Sequence, residues 1–224
     1  MLELTNYKEQ LKSWPDEGQH IMAQYDDKSV TVYQAYRPSI GLFAAQNQYF
    51  GGAFKYTRMS WIKPNFLWMM YRCGWASKQG QEVVLAIRLK RSYFNKILAA
   101  AYPSSCPSNW NSDTWKAKIR STNVRLQWDP DHDPFGNKVK RRAIQLGLRN
   151  DFLEPFRGDG IVEVEDISSF VREQGKLVGQ HQLDDLVTPR EAVYPVSSDI
   201  ALSLGMENDN KNSEKVLSNG SAQE

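Results

Sequence analysis

Between Pro64 and Gly74 the chain reads Pro64-Asn65-Phe66-Leu67-Trp68-Met69-Met70-Tyr71-Arg72-Cys73-Gly74, and this run constrains the fold more than any other. Proline suits a first helical position and glycine the residue just past a last one, so the spacing predicts a helix over 64–73. Phe66, Leu67, Met69, Met70 and Tyr71 leave it apolar nearly all round, so it has to be covered on most faces. A chain of 224 residues is long enough to do this within one domain. Trp61, Trp68 and Trp75 recur every seven residues, but Pro64 and Gly74 interrupt any helix running through all three. The stripe is therefore read as core rather than as a binding surface.

Around this helix, short period-two apolar runs mix with helical patterns. Gln19 to Tyr25 and Val30 to Tyr36 flank Asp26-Asp27-Lys28-Ser29 and read as a hairpin. Further strands are expected at Val83 to Lys90, Val124 to Trp128, Ala143 to Leu148 and Ile161 to Val164. Helices are expected at Ser39 to Gln48, at Tyr93 to Ala101, at Asp113 to Arg120 with Ser112 or Asp113 as cap, and from Ser168 to near Gly175. Strict strand–helix alternation is absent, which predicts an α+β fold: a single domain over 1–196 with a mixed, largely antiparallel sheet flanked by helices. Residues 197–224 lack aromatics and carry five acids against two lysines; they are read as a disordered acidic tail.

The absences narrow the function classes. No apolar run reaches the roughly 18 residues needed to span a bilayer, and the first residues do not resemble a leader, so a cytoplasmic, non-membrane setting is expected. Cys73 and Cys106 stand alone, which suits two free thiols and gives no zinc spacing. There is no phosphate loop, dinucleotide fingerprint, Gly-x-Ser-x-Gly elbow or paired-cysteine motif. Outside the acidic tail the chain is mildly basic, which is compatible with an anionic ligand.

Four constellations carry possible chemistry. Asp129-Pro130-Asp131-His132-Asp133-Pro134 concentrates three carboxylates and a histidine. It reads as a Pro-stiffened loop with aspartates on the backbone, as a metal site, or as a setting for His132 in acid/base work. As a calcium loop it fails, with Pro134 where the turn glycine belongs and Lys140 where the bidentate Glu belongs. Glu163 and Glu165 fall on one strand face together with Ile161, either solvated or turned to a substrate. Arg37, at a strand end beside Tyr33 and Tyr36, suits a bidentate grip on phosphate or carboxylate, or an ion pair with Asp26 or Asp27. Lys138, Lys140, Arg141 and Arg142 with Arg88, Lys90 and Arg91 form the basic set, to which Trp110 or Trp128 would add stacking platforms.

Five blocks carry a resemblance: Gln24 to Asp27, Val32 to Pro38, Arg58 to Arg72, Arg125 to Pro134 and Glu163 to Ile167. Together they are similar to the bacterial and fungal family of unknown function numbered 4291, over residues 12–196, which implies a self-contained domain and brings no activity. Arg37, Ser60 and Glu163-x-Glu165, in that order, also distantly resemble the ADP-ribosyltransferase superfamily. The usual Ser-Thr-Ser triplet is replaced here by Thr57-Arg58-Met59-Ser60. That resemblance implies Arg37 on the phosphate of NAD, Ser60 on a supporting strand and Glu165 beside the ribosyl cation. The local pattern instead puts Ser60 at a helix entrance.

The reading that follows is a nucleotide-handling, NAD-dependent transferase: Arg37 clamps phosphate, Tyr33 or Tyr36 stacks on a ring, Arg58 and Ser60 stand close by, and Glu163 and Glu165 supply the carboxylates. The alternatives are an RNA- or tRNA-binding module without a nucleotide cofactor, and a metal-dependent hydrolase built on Asp129, Asp131, His132 and Asp133. Oligomeric state leaves no trace in the pattern.

Overall fold

The computed structural model describes residues 2–108 and 110–206. In chain order the strands are β1 (Leu4–Asn6), β2 (Gly18–Gln19), β3 (Met22–Ala23), β4 (Ser29–Tyr36), β5 (Ser60–Ile62), β6 (Val83–Lys90), β7 (Ala101–Pro103), β8 (Val124–His132), β9 (Lys138–Leu148), β10 (Ile161–Asp166), β11 (Val187–Pro189) and β12 (Ala192–Val193). The helices are α1 (Tyr7–Leu11), α2 (Pro38–Asn47), α3 (Phe66–Cys73), α4 (Arg91–Ala99), α5 (Ser112–Ser121), α6 (Ser168–Gly179) and α7 (Ser198–Leu204). This is the α+β single domain expected, although two main sheets and two small ribbons take the place of one sheet.

Strands β10, β6 and β4 form an antiparallel three-stranded sheet, and β2, β9, β8 and β7 form a mixed one with β5 added antiparallel to β9. Two-stranded ribbons β1–β11 and β3–β12 flank them. A single bridge, Tyr33 to Lys63, ties the sheets through the chain that leaves β5. Val32, Leu85, Ile87 and Val164 share one buried cluster with Ile62, Leu126, Ile144 and Leu146 of the larger sheet. The other face, carrying Tyr33, Val84 and Ala86, is buried with α3 and with Val171 and Val178 of α6. Coverage on both faces is why Val83 to Ile87 reads as an uninterrupted apolar run.

Helix α3 is buried as its composition requires, with Phe66, Leu67, Trp68, Met69 and Met70 all inside. Its start lies two residues later than predicted. Asn65 is the cap, its side-chain oxygen accepting from the Trp68 N–H at 2.6 Å, and Pro64 precedes it. The reason is chemical: an Asn side chain satisfies an orphan amide, whereas proline only tolerates the position. Gly74 takes the left-handed conformation at φ 58°, as predicted for the helix end. Tyr71 is exposed, contrary to the all-round reading. Trp61, Trp68 and Trp75 sit on β5, on α3 and beyond Gly74, so they share no helix face.

Other expectations shift for non-local reasons. The hairpin over 19–36 shrinks to one bridge, Tyr25 to Val30, because Gln19 pairs with β9 and Met22–Ala23 with β12. The turn chemistry stands: Asp26 accepts from the amides of Lys28 at 2.7 Å and Ser29 at 2.6 Å. Asn111, not Ser112 or Asp113, caps α5. Helix α6 runs through Gly175 to Gly179, where a Cβ on Gly175 would come within 2.8 Å of Trp75. Glycine there serves close packing rather than termination. Both cysteines are free.

The domain also extends past residue 196. Ser197 caps α7, Leu204 is buried, and its carbonyl accepts from the Trp128 indole at 2.8 Å. Ile200 and Leu204 thus bury apolar surface that the polar composition of the segment conceals. The rest of the expected tail, 207–224, lies outside the described residues. Among those that are described, no helix is long and apolar enough to cross a membrane.

Candidate functional site

Tyr36 ends β4, Arg37 is the residue before α2, and Pro38 occupies its first turn, where a missing N–H costs nothing. The chain returns through the 53–59 segment to Ser60 at the start of β5. These pieces enclose a cleft of about 380 Å³ lined by Tyr36, Arg37, Phe54, Lys55, Arg58 and Ser60 among others, with no carboxylate in its wall among the described residues. Among the described residues the side chains of Arg37, Lys55 and Arg58 take part in no ion pair and no hydrogen bond. Three uncommitted cations at the N-terminal end of a ten-residue helix make an electropositive pocket. Arg37 does not pair with Asp26 or Asp27, because those lie at the far end of β4 and meet Arg88 and Arg91.

The back wall is a hydrogen-bonded chain. Ser60 is almost fully buried; its Oγ accepts from Gln34 Nε2 at 2.9 Å and shares a 2.9 Å hydrogen bond with the Tyr36 hydroxyl. Gln34 Nε2 also donates to the Trp61 carbonyl at 3.0 Å, which accepts from Lys63 Nζ at 3.2 Å as well. Burial keeps the Tyr36 hydroxyl protonated well above its ordinary range, against the Ser60 hydrogen bond and the Arg58 charge. Burial, reinforced by Arg72, pushes the Lys63 amine down to about 7 despite Asp129. Ser60 stands on a strand, not at a helix entrance as its local pattern predicts. Antiparallel pairing with Leu148 of β9, far away in sequence, decides this.

Period two removes Tyr33 from the set. It alternates with Tyr36 onto the opposite sheet face, fully buried against Phe66 of α3, and no ligand ring can stack on it. Glu165 is in register with Ala86 and Tyr33, hence on that same opposite face, and Glu163 is in register with Arg88, which it meets at 3.2 Å. A register shift between Ile161 and Glu163 takes Ile161 off the glutamate face. The structure therefore brings together Arg37, Tyr36, Arg58 and Ser60, and keeps Glu163 and Glu165 apart from them.

The Asp129 to Pro134 segment is mostly strand, since β8 runs to His132. Its carboxylates diverge. Asp129 accepts from Gln127 at 2.9 Å and Gln145 at 2.6 Å, Asp131 forms a buried pair with Arg141 at 2.7 Å, and Asp133 closes the turn through the amides of Phe135 and Asn137. His132 is buried and stacks on Tyr71 with ring centroids 3.6 Å apart. Among the described residues no three His, Cys, Asp or Glu side chains are grouped to hold a metal ion. The basic set is similarly dispersed: Arg141 on Asp131, Arg88 on Asp26 and Glu163, and Arg91 against the Tyr25 and Tyr194 rings.

Sequence reasoning missed Lys55, Lys63 and Glu191. Glu191 is fully enclosed and accepts from the Phe66 amide at 2.6 Å; burial raises its pKa well above the carboxylate range. Lys63 had one signal, a lysine inside the aromatic block from Trp61 to Trp68. Glu191 had none, because its partners are over a hundred residues away. A family model described as Domain of unknown function (DUF4291) matches residues 20–194. No curated protein matches the sequence.

Proposed function

The chain belongs to the DUF4291 family, and from that premise we propose that it binds a phosphorylated small molecule of the nucleotide class in the cleft between β4, α2 and β5. The observation that carries this reading is the trio Arg37, Lys55 and Arg58, which among the described residues are unpaired and face a cavity with no carboxylate in its wall. Arginine forks suit phosphate oxygens, and the first turn of α2 adds amide dipoles of the same sign. Tyr36 and Phe54 supply the apolar half, against which a ring or ribose packs. Ser60, fixed by Gln34 and Tyr36, presents a pre-oriented hydroxyl.

The transfer step implied by the superfamily resemblance needs a carboxylate beside the ribosyl cation. None lines the cleft and Glu165 stands on the other sheet face, so the proposal is for recognition of the nucleotide and leaves NAD as one ligand to be tried. Isothermal titration with ADP, NAD and inorganic pyrophosphate tests it. Binding by at least one of them is expected, weakened about 10- to 100-fold in Arg37→Ala or Arg58→Ala, the loss typical of a charge-assisted hydrogen bond. Absence of binding by all three, or full binding in both variants, overturns it.

A further inference from the structure

A second cleft, of about 580 Å³, opens where Pro103 to Pro107, Trp110 and α7 meet β8, and among the described residues its wall also lacks any carboxylate. Its chemistry differs from that of the first. Two indoles line it, Trp128 and Trp110, with Arg142 as the cation and Gln19, Gln127 and Ser104 as neutral hydrogen-bonding groups. Trp128 is tethered to α7 through its ring N–H, and Arg142 donates to the Trp128 carbonyl at 3.0 Å, so both are oriented before any ligand arrives. Trp110 packs at a tilt against Tyr102, with ring centroids 5.5 Å apart, and is 43% exposed, so part of its ring remains accessible. Gln127 gives its amide N–H to Asp129 and keeps its carbonyl oxygen; Gln19 makes no side-chain hydrogen bond among the described residues.

Indole faces beside amides and one guanidinium match a nucleobase: a planar ring to stack and an edge with both donors and acceptors. One cation is too few to hold a free nucleotide by its phosphate, in contrast to the three of the first cleft. The strand that supplies Arg142 also carries Lys138 and Lys140, both exposed and both outside any ion pair among the described residues. We infer that this face binds a single-stranded nucleic acid, with one base in the Trp110–Trp128 cleft and the backbone phosphates against Lys138, Lys140 and Arg142. This site is independent of the small-molecule cleft.

Fluorescence anisotropy of the full chain with an end-labelled ten-nucleotide uridine oligomer, at low and at physiological salt, tests the inference. The wild type is expected to bind at low salt. Trp110→Ala is expected to weaken binding about 5- to 150-fold, the range for one lost stacking platform, while Trp110→Phe, which keeps a ring, retains most of it. The double variant K138A/K140A is expected to lower the slope of log affinity against log salt by about 1.4, near 0.7 for each phosphate contact on a single strand. Trp110, Lys138 and Lys140 are exposed, and an unchanged melting temperature verifies each fold. No binding by the wild type, or equal affinity in Trp110→Ala, overturns the inference. Displacement of the oligomer by uridine monophosphate at comparable concentration overturns the single-strand reading in favour of a mononucleotide site. Displacement by excess ADP that Arg58→Ala abolishes would place the oligomer in the first cleft and also overturn it.

Discussion

At the β8–β9 hairpin, Arg141 is 5% exposed and lies 2.7 Å from Asp131, with its guanidinium over the Trp14 ring; at the end of β4, Arg37 lines an open cleft with Lys55 and Arg58 and meets no acid among the described residues. Both places are rich in cations, and both looked like functional candidates in the sequence. The difference lies in where the compensating charge comes from. Arg141 lost its water on folding and is held by a carboxylate that lost its own, so each is indispensable to the other. Arg37 and Arg58 keep their water and meet no counter-charge among the described residues, which leaves them to compensate a ligand. Lys63 is the intermediate case, a cation deprived of water and given a carbonyl and the Trp68 ring in place of a carboxylate.

The largest expected effect that breaks this contrast is at the matched pair. Arg141→Ala leaves Asp131 buried and unpaired, and is expected to cost about 3–5 kcal/mol in denaturant unfolding; a cost below about 1 kcal/mol would mean that the hairpin charges are no more committed than those of the cleft. Next comes Lys63→Met, which replaces a desolvated amine with an apolar side chain and is expected to stabilise the fold by about 1–4 kcal/mol at neutral pH. The sign follows from linkage. The folded-state pKa is depressed to about 7 while the unfolded value is about 10.4. Between those values only the unfolded chain holds the proton, so wild-type stability rises with pH across that window and falls again as pH drops towards 7. The gain from Lys63→Met should therefore be largest at and below pH 7 and fade towards pH 10, as thermal melts across that range will report. The smallest effect belongs to the open cleft: Arg37→Ala and Arg58→Ala are expected to move stability by no more than about 0.5 kcal/mol, even as they weaken ligand binding.

Much of the scaffold was legible because it depends on local chemistry. Gly74 ends α3, Pro38 opens α2, Val83 to Lys90 is a strand, and the apolar girdle of Phe66 to Met70 is buried. The candidate site was legible in part: Arg37, Tyr36, Arg58 and Ser60 do converge. Tyr33 was misplaced, because alternation says that Tyr33 and Tyr36 face opposite ways without saying which face a helix covers. Asp129 to Asp133 looked like one acidic cluster, yet a register shift between Pro130 and His132 and the turn beyond His132 send the three carboxylates to different partners, to Gln145, to Arg141 and back to the turn itself.

Sequence by itself determined the class of fold, the burial of α3 and the family, since these rest on composition, on nearest-neighbour turn and cap chemistry, and on patterns spread over the whole chain. Only the tertiary structure decided which charges are spent inside the protein and which remain for a partner. That balance depends on contacts between residues as distant as Phe66 and Glu191 or Trp128 and Leu204. A charged side chain carries the same one-letter code whether its counter-ion is in the fold or yet to arrive, and desolvation, which separates the two cases by several kcal/mol, exists only once the chain has closed around it.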